Sequence, residues 1–83
     1  MTINYKGKDD NYKYRIAEIS FFKEEEKLFE RMEKILSIKG WNDLQVVDEM
    51  AILEVEDYEE YKMFVKDYKE AKQSVKLWEK FGI

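Results

Sequence analysis

Residues 44–61 read LQVVDEMAILEVEDYEEY and change period in mid-stretch. On the arm that follows Asp48 and Glu49, Leu53 and Val55 fall on one face and Ile52, Glu54 and Glu56 on the other, the two-residue alternation of a half-buried strand. Asp48 and Glu49 interrupt the apolar run where a hairpin turns, although no glycine marks the place. The period then lengthens. Asp57 and Glu60 form a D-x-x-E capping box, and the helix behind it carries the stripe Tyr61, Phe64, Val65, Tyr68, Ala71 and Val75.

Upstream of this unit, Leu28, Met32, Ile35 and Leu36, with Phe29 beside them, recur at helical spacing and predict an amphipathic helix over about 23–38. Glu24, Glu25 and Glu26 suit its first turn because the helix dipole favours negative charge there. After Lys39, Gly40 can take the left-handed position that ends a helix, which sends Trp41 back onto the last turn. Earlier still, TINYK and YKYRIAEISFF flank a Gly7–Asn11 loop and read as a hairpin. Tyr12, Tyr14 and Ile16 share one face of its second arm, Ile19 and Phe21 the other. The slip near Ala17 and Glu18 predicts a bulge or a strand apolar on both faces.

Downstream, a helix running unbroken from 58 to 81 would measure about 36 Å, against a radius of gyration near 12 Å for a domain of this length. It would overhang its own fold. Ser74 can cap a separate short helix over 75–81, so a break is expected around Gln73 and Ser74.

The resulting order is ββαββα in one α+β domain over 1–83, with an antiparallel sheet and both helices on one of its faces. From YKYRIAEISFF onward the order resembles the β-α-β-β-α portion of the ferredoxin-like plan, with the N-terminal strand at the edge that the plan's last strand fills. That plan hosts many unrelated functions, so the resemblance implies architecture alone.

At 83 residues, most apolar side chains are committed to packing. An aromatic content of 16% separates the chain from disordered sequences of comparable charge. Cysteine is absent, which removes disulfides and thiolate metal sites; histidine is absent too, which removes the commonest general base and transition-metal ligand. The first residues hold no apolar run resembling a signal peptide, and no stretch approaches the roughly 20 apolar residues of a membrane span. A cytoplasmic protein without a membrane partner is expected.

The remaining chemistry argues against an enzyme. Ser20, Ser37 and Ser74 have no base motif beside them, and Gly7, Gly40 and Gly82 are too scattered to cradle a phosphate. Glu54, Glu56 and Asp57 offer oxygens to a hard cation such as Mg²⁺, but residues 40–61 supply no lysine to polarise a substrate beside it. Neither a catalytic residue nor a cofactor or metal site is expected.

Charge is distributed unevenly. The net value is −4, yet residues 40–61 contain eight acids and no base. Helix dipoles account for Asp57, Glu59 and Glu60, and turn chemistry for Asp48 and Glu49. Glu54 and Glu56 are left over, about 6.8 Å apart on one strand face. Together, Asp48, Glu49, Glu54, Glu56, Asp57, Glu59 and Glu60 predict a connected acidic ridge, comparable to a stretch of phosphate backbone and suited to a basic protein surface. In size, in lacking catalytic residues and in its Lys-, Glu- and Tyr-rich composition, the chain resembles the small acidic inhibitors of phages and mobile elements that occupy the nucleic-acid cleft of host proteins. That resemblance implies an anti-CRISPR or anti-restriction style of action on a nucleic-acid-binding partner.

Two other surfaces compete with the ridge. Tyr5, Tyr12 and Tyr14 alternate with Lys6, Lys8, Lys13 and Arg15, a pattern that can stack on bases and hold phosphates of single-stranded nucleic acid. The same pattern also describes a hairpin whose lysines guard an edge strand. Met63, Leu77, Trp78 and Phe81 lie off the main stripe of the last helix and are candidates for a homodimer contact.

Overall fold

A computed structural model describes residues 1–6 and 15–81. Strands β1 (Thr2–Lys6) and β2 (Arg15–Ser20) precede a 3-10 turn at Lys23–Glu25 and helix α1 (Glu26–Ile38). Strands β3 (Gln45–Val47) and β4 (Met50–Val55) then lead into helix α2 (Tyr58–Lys80). All strand pairs are antiparallel, in the order β1-β2-β4-β3. The ββαββα order is therefore the one the sequence predicts, with β1 at the edge beside β2.

Register explains the irregular apolar pattern of β2. Pairing with β1 runs unbroken from Thr2 opposite Ser20 to Lys6 opposite Ile16, with no bulge between. Ala17, Ile19 and Phe21 face the helices and are buried, while Ile16 lies half-buried on the open face. The helix-facing side of the strand is apolar, whereas its open side mixes Ile16 with Glu18 and Ser20, so neither a bulge nor a strand apolar on both faces is found over Arg15–Ser20. The expected Gly7–Asn11 loop, together with Tyr12 and Tyr14, lies outside the described residues.

Ala17, Ile19, Ala51, Leu53 and Val55 form the floor of the core; Phe29, Met32 and Leu36 of α1 and Phe64, Tyr68, Ala71 and Val75 of α2 form its roof. Phe21 stacks on Phe29 with ring centroids 4.6 Å apart. Each such large apolar side chain contributes about 1.5–3 kcal/mol when fully buried, so this layer supplies most of the driving force.

Both hairpin and helix ends obey local chemistry. Val47 pairs with Met50, leaving a two-residue turn in which Asp48 takes φ 55°. Aspartate tolerates that left-handed value, so no glycine is needed. At the end of α1, Gly40 has φ 106°, the Gly40 N–H donates to Ser37 O at 3.0 Å, and the Trp41 N–H donates to Leu36 O at 2.9 Å. These are the two bonds of a Schellman stop.

The expected break in the last helix is absent: α2 is continuous through Gln73 and Ser74. Ser74 instead sits half-buried in the helix interior. Val75 continues the buried stripe four residues after Ala71, which holds the chain helical past Ser74, and a mid-helix serine costs only a few tenths of a kcal/mol relative to alanine. Beyond Val75, residues 76–81 are all exposed. The molecule is elongated, 46 × 24 × 17 Å, yet Glu79 still reaches Arg31 of α1 at 3.5 Å.

Candidate functional site

The acids of 54–60 gather where β4 passes into α2. Asp57 is the N-cap, with extended backbone, and its Oδ1 accepts the Glu60 N–H at 2.8 Å. Glu60 completes a variant of the capping box: its Oε2 accepts the N–H of Glu56, one residue before the cap, at 2.8 Å. Glu59 pairs with Lys62 at 3.1 Å. Glu54 and Glu56 are exposed, and their carboxylates form no ion pair among the described residues.

A cation does approach this end, from a distant part of the chain. Antiparallel pairing sets Arg15 opposite Val55, and its Nη1 donates to the Glu56 carbonyl at 2.8 Å. The sequence offers no signal for that contact, because it depends on strand register across 41 residues.

The turn acids do not join the cluster. Asp48 and Glu49 lie before the first residue of β4, and Glu54 lies near its far end. Five residues of antiparallel strand span about 17 Å, roughly twice the Debye length of about 8 Å at physiological ionic strength. Half-exposed Met50 and Ile52 occupy the open face between them. The expected connected ridge is therefore two separate patches, since β4 holds the turn and the helix cap at opposite ends of the sheet.

Of the residues proposed to stack on bases, Tyr5 lies on the helix-covered side, edge-on to Tyr58 at 5.2 Å and to Tyr61 at 5.0 Å. Lys6 pairs with Glu18 at 3.1 Å, and Arg15 is committed to Glu56. Lys8, Tyr12, Lys13 and Tyr14 lie outside the described residues. The open sheet face presents mixed chemistry instead. Lys6, Ile16 and Glu54 form one row, and Asn4, Glu18, Ile52 and Gln45 the next.

The remaining candidates, Met63, Leu77 and Trp78 on α2 and Phe81 directly after it, are all exposed. Trp78 borders a notch of about 320 Å³ with Arg31, Lys34, Ile35 and Ile38 of α1. Ile38, at 86% exposure, is an apolar surface residue that helical periodicity alone assigned to no site.

Perturbed titrations fall elsewhere. Glu25 accepts the Phe22 N–H at 3.0 Å and the Met1 amine at 3.2 Å, and these contacts lower its pKa. Lys39 is raised by its bond to Glu70 at 3.0 Å, with Asp67 adding to the effect. Burial raises Tyr68 and Tyr61, and the Tyr68 hydroxyl has no hydrogen-bond partner among the described residues. Among the described residues, no group of three or more acidic side chains is placed to hold a metal ion, and no helix is long and apolar enough to cross a membrane.

Comparison with protein-family models, with curated proteins and with solved structures finds no match to this chain.

Proposed function

We propose that this is a non-enzymatic protein-interaction domain that meets a basic surface, that of a nucleic-acid-binding protein, through the acidic end of β4 and α2. Glu54 and Glu56 carry the reading: two exposed carboxylates with no ion pair among the described residues, next to Asp57 and Glu59. A lysine or arginine cleft that ordinarily holds phosphates would find comparable charge here, in the manner of a small inhibitor. Asp48 and Glu49, a Debye length or more away, are not part of this contact.

Charge pairs at such an interface act chiefly on association rate and specificity. The double reversal Glu54→Lys with Glu56→Lys should slow capture of a purified partner and flatten its salt dependence. The control is Glu30→Lys with Glu33→Lys, which changes the same charge on α1. The partner is first isolated by affinity capture from the native host, and stopped-flow association then compares the variants. Equal effects of the two reversals, or a partner whose nucleic-acid binding is untouched by saturating wild-type chain, would overturn the proposal.

A further inference from the structure

The charges of α2 are sorted by what they meet. After its first turn the helix carries three acids, Asp67, Glu70 and Glu79, and groups of α1 and of the turn behind it take up all three. Asp67 accepts the Trp41 indole N–H at 2.7 Å, Glu70 pairs with Lys39 at 3.0 Å, and Glu79 pairs with Arg31 at 3.5 Å. The lysines of the same segment are left over. Lys69, Lys72, Lys76 and Lys80 form no ion pair among the described residues. Glu25 feels the charge of Lys72, but its oxygens are held by the Met1 amine and the Phe22 N–H.

Steps of three, four and four residues set these lysines along one side of the helix, where with Gln73 and Leu77 they border a shallow groove of about 430 Å³. Lys69, Lys76 and Lys80 are exposed and Lys72 is half-buried. The row is about 16 Å long at 1.5 Å per residue, a length over which one strand of a nucleic-acid duplex presents about five phosphates. Lysine suits such a partner as a point charge that needs no fixed geometry. A bilayer, the other extended anionic surface, calls for a broad apolar face beside the cations. Leu77 is the one apolar member of this groove, and Trp78 borders the notch beside α1 instead. Lys69 lies about 13 Å past Glu60 along the helix, beyond the Debye length of about 8 Å, so the acids at the entry of α2 do not cancel the row.

We propose that this side of α2 binds the phosphate backbone of duplex nucleic acid without reading its sequence. The four ammonium groups contact phosphates and release the counterions condensed there. No aromatic ring lines the groove, so bases are not stacked on it. The surface contains neither the N-terminal hairpin considered for single strands nor Glu54 and Glu56, so the inference goes beyond the proposed function and does not depend on it.

Fluorescence anisotropy of a short labelled DNA duplex, titrated with the full chain between about 50 and 200 mM salt, tests the row directly. Four neutralised phosphates predict a slope of about −3.6 for log K against log salt. Lys76→Gln with Lys80→Gln should halve that slope to about −1.8 and weaken binding at least about tenfold at the lowest salt. The control, Lys27→Gln with Lys34→Gln, removes the same charge from exposed positions on α1 and should leave the slope unchanged. Scrambling the duplex sequence should leave the affinity unchanged as well. Far-UV circular dichroism shows that the variants remain folded. Absence of binding at the lowest salt, equal loss of slope in the two double variants, tighter binding to a single strand of the same length, or capture by phosphatidylserine vesicles in place of the duplex would overturn the proposal.

Discussion

Trp41 and Asp67 tie the turn after α1 to the middle of α2: the indole Nε1 donates to Asp67 Oδ2 at 2.7 Å. The contact follows from the Schellman stop, which reverses the chain at Gly40 and presents the Trp41 ring edge-on to Phe64, with centroids 5.1 Å apart. The other Asp67 oxygen lies 3.8 Å from Lys39 Nζ, which also reaches Glu70. One carboxylate therefore anchors both a partly buried donor and a cation from the end of α1.

Removing that carboxylate leaves the indole N–H unpartnered. Asp67→Ala should destabilise the fold by about 1–2 kcal/mol, the cost of a lost hydrogen bond with its donor left partly buried. Asp67→Asn keeps an acceptor and should cost less. Urea unfolding midpoints of the two variants make the comparison; equal losses would mean that the ion pair to Lys39 matters more than the indole bond.

Gly40 can be tested on conformation alone. A Cβ at this position meets nothing within 4 Å, so sterics from the surroundings play no part. Its φ of 106° is nevertheless unfavourable for any L side chain, and Gly40→Ala should cost about 1–3 kcal/mol. Differential scanning calorimetry should show a lowered Tm with an unchanged circular dichroism spectrum.

Tyr68 predicts a change in the opposite direction. Its ring is buried in the core, but its hydroxyl is desolvated without a partner among the described residues. Tyr68→Phe removes the unpaired group and keeps the ring, so it should be neutral or stabilising by up to about 1 kcal/mol. A clear loss of stability in chemical denaturation would show that the hydroxyl has a partner in solution.

Stability should be flat across neutral pH, since the chain has no histidine, and should fall at both extremes. The folded pKa of Glu25 lies below its ordinary value of 4.5, so its contribution is present above that value and is lost as pH drops through the lower folded one. Lys39 is shifted the other way: its contribution is present below 10.5 and is lost as pH rises through its higher folded value. Tyr61 and Tyr68 steepen the alkaline limb, because the unfolded chain ionises first, near 10.0. Glu25→Gln should flatten chiefly the acid limb and Lys39→Met chiefly the alkaline limb, read as urea midpoints against pH.

The sequence by itself determined what depends on neighbours within about four residues. The stripe of Phe29, Met32 and Leu36, the stop at Gly40 and Trp41, the Asp48–Glu49 turn and the Asp57 cap all follow from side-chain period and backbone chemistry, and these set the ββαββα order. Tertiary structure decided what depends on pairing between distant segments. The β2–β4 register brings Arg15 to Glu56, and the length of β4 parts Glu49 from Glu54, so the candidate site is legible as a composition but not as a surface. The packing of β1 under α2 turns Tyr5 towards Tyr58 and Tyr61. Continuity of α2 belongs to the same class, because Ser74 satisfies a cap and a helix interior alike, and burial of Val75 beside Ala71 is what selects the helix. Local preferences differ by tenths of a kcal/mol at such a position, and core burial by more than one.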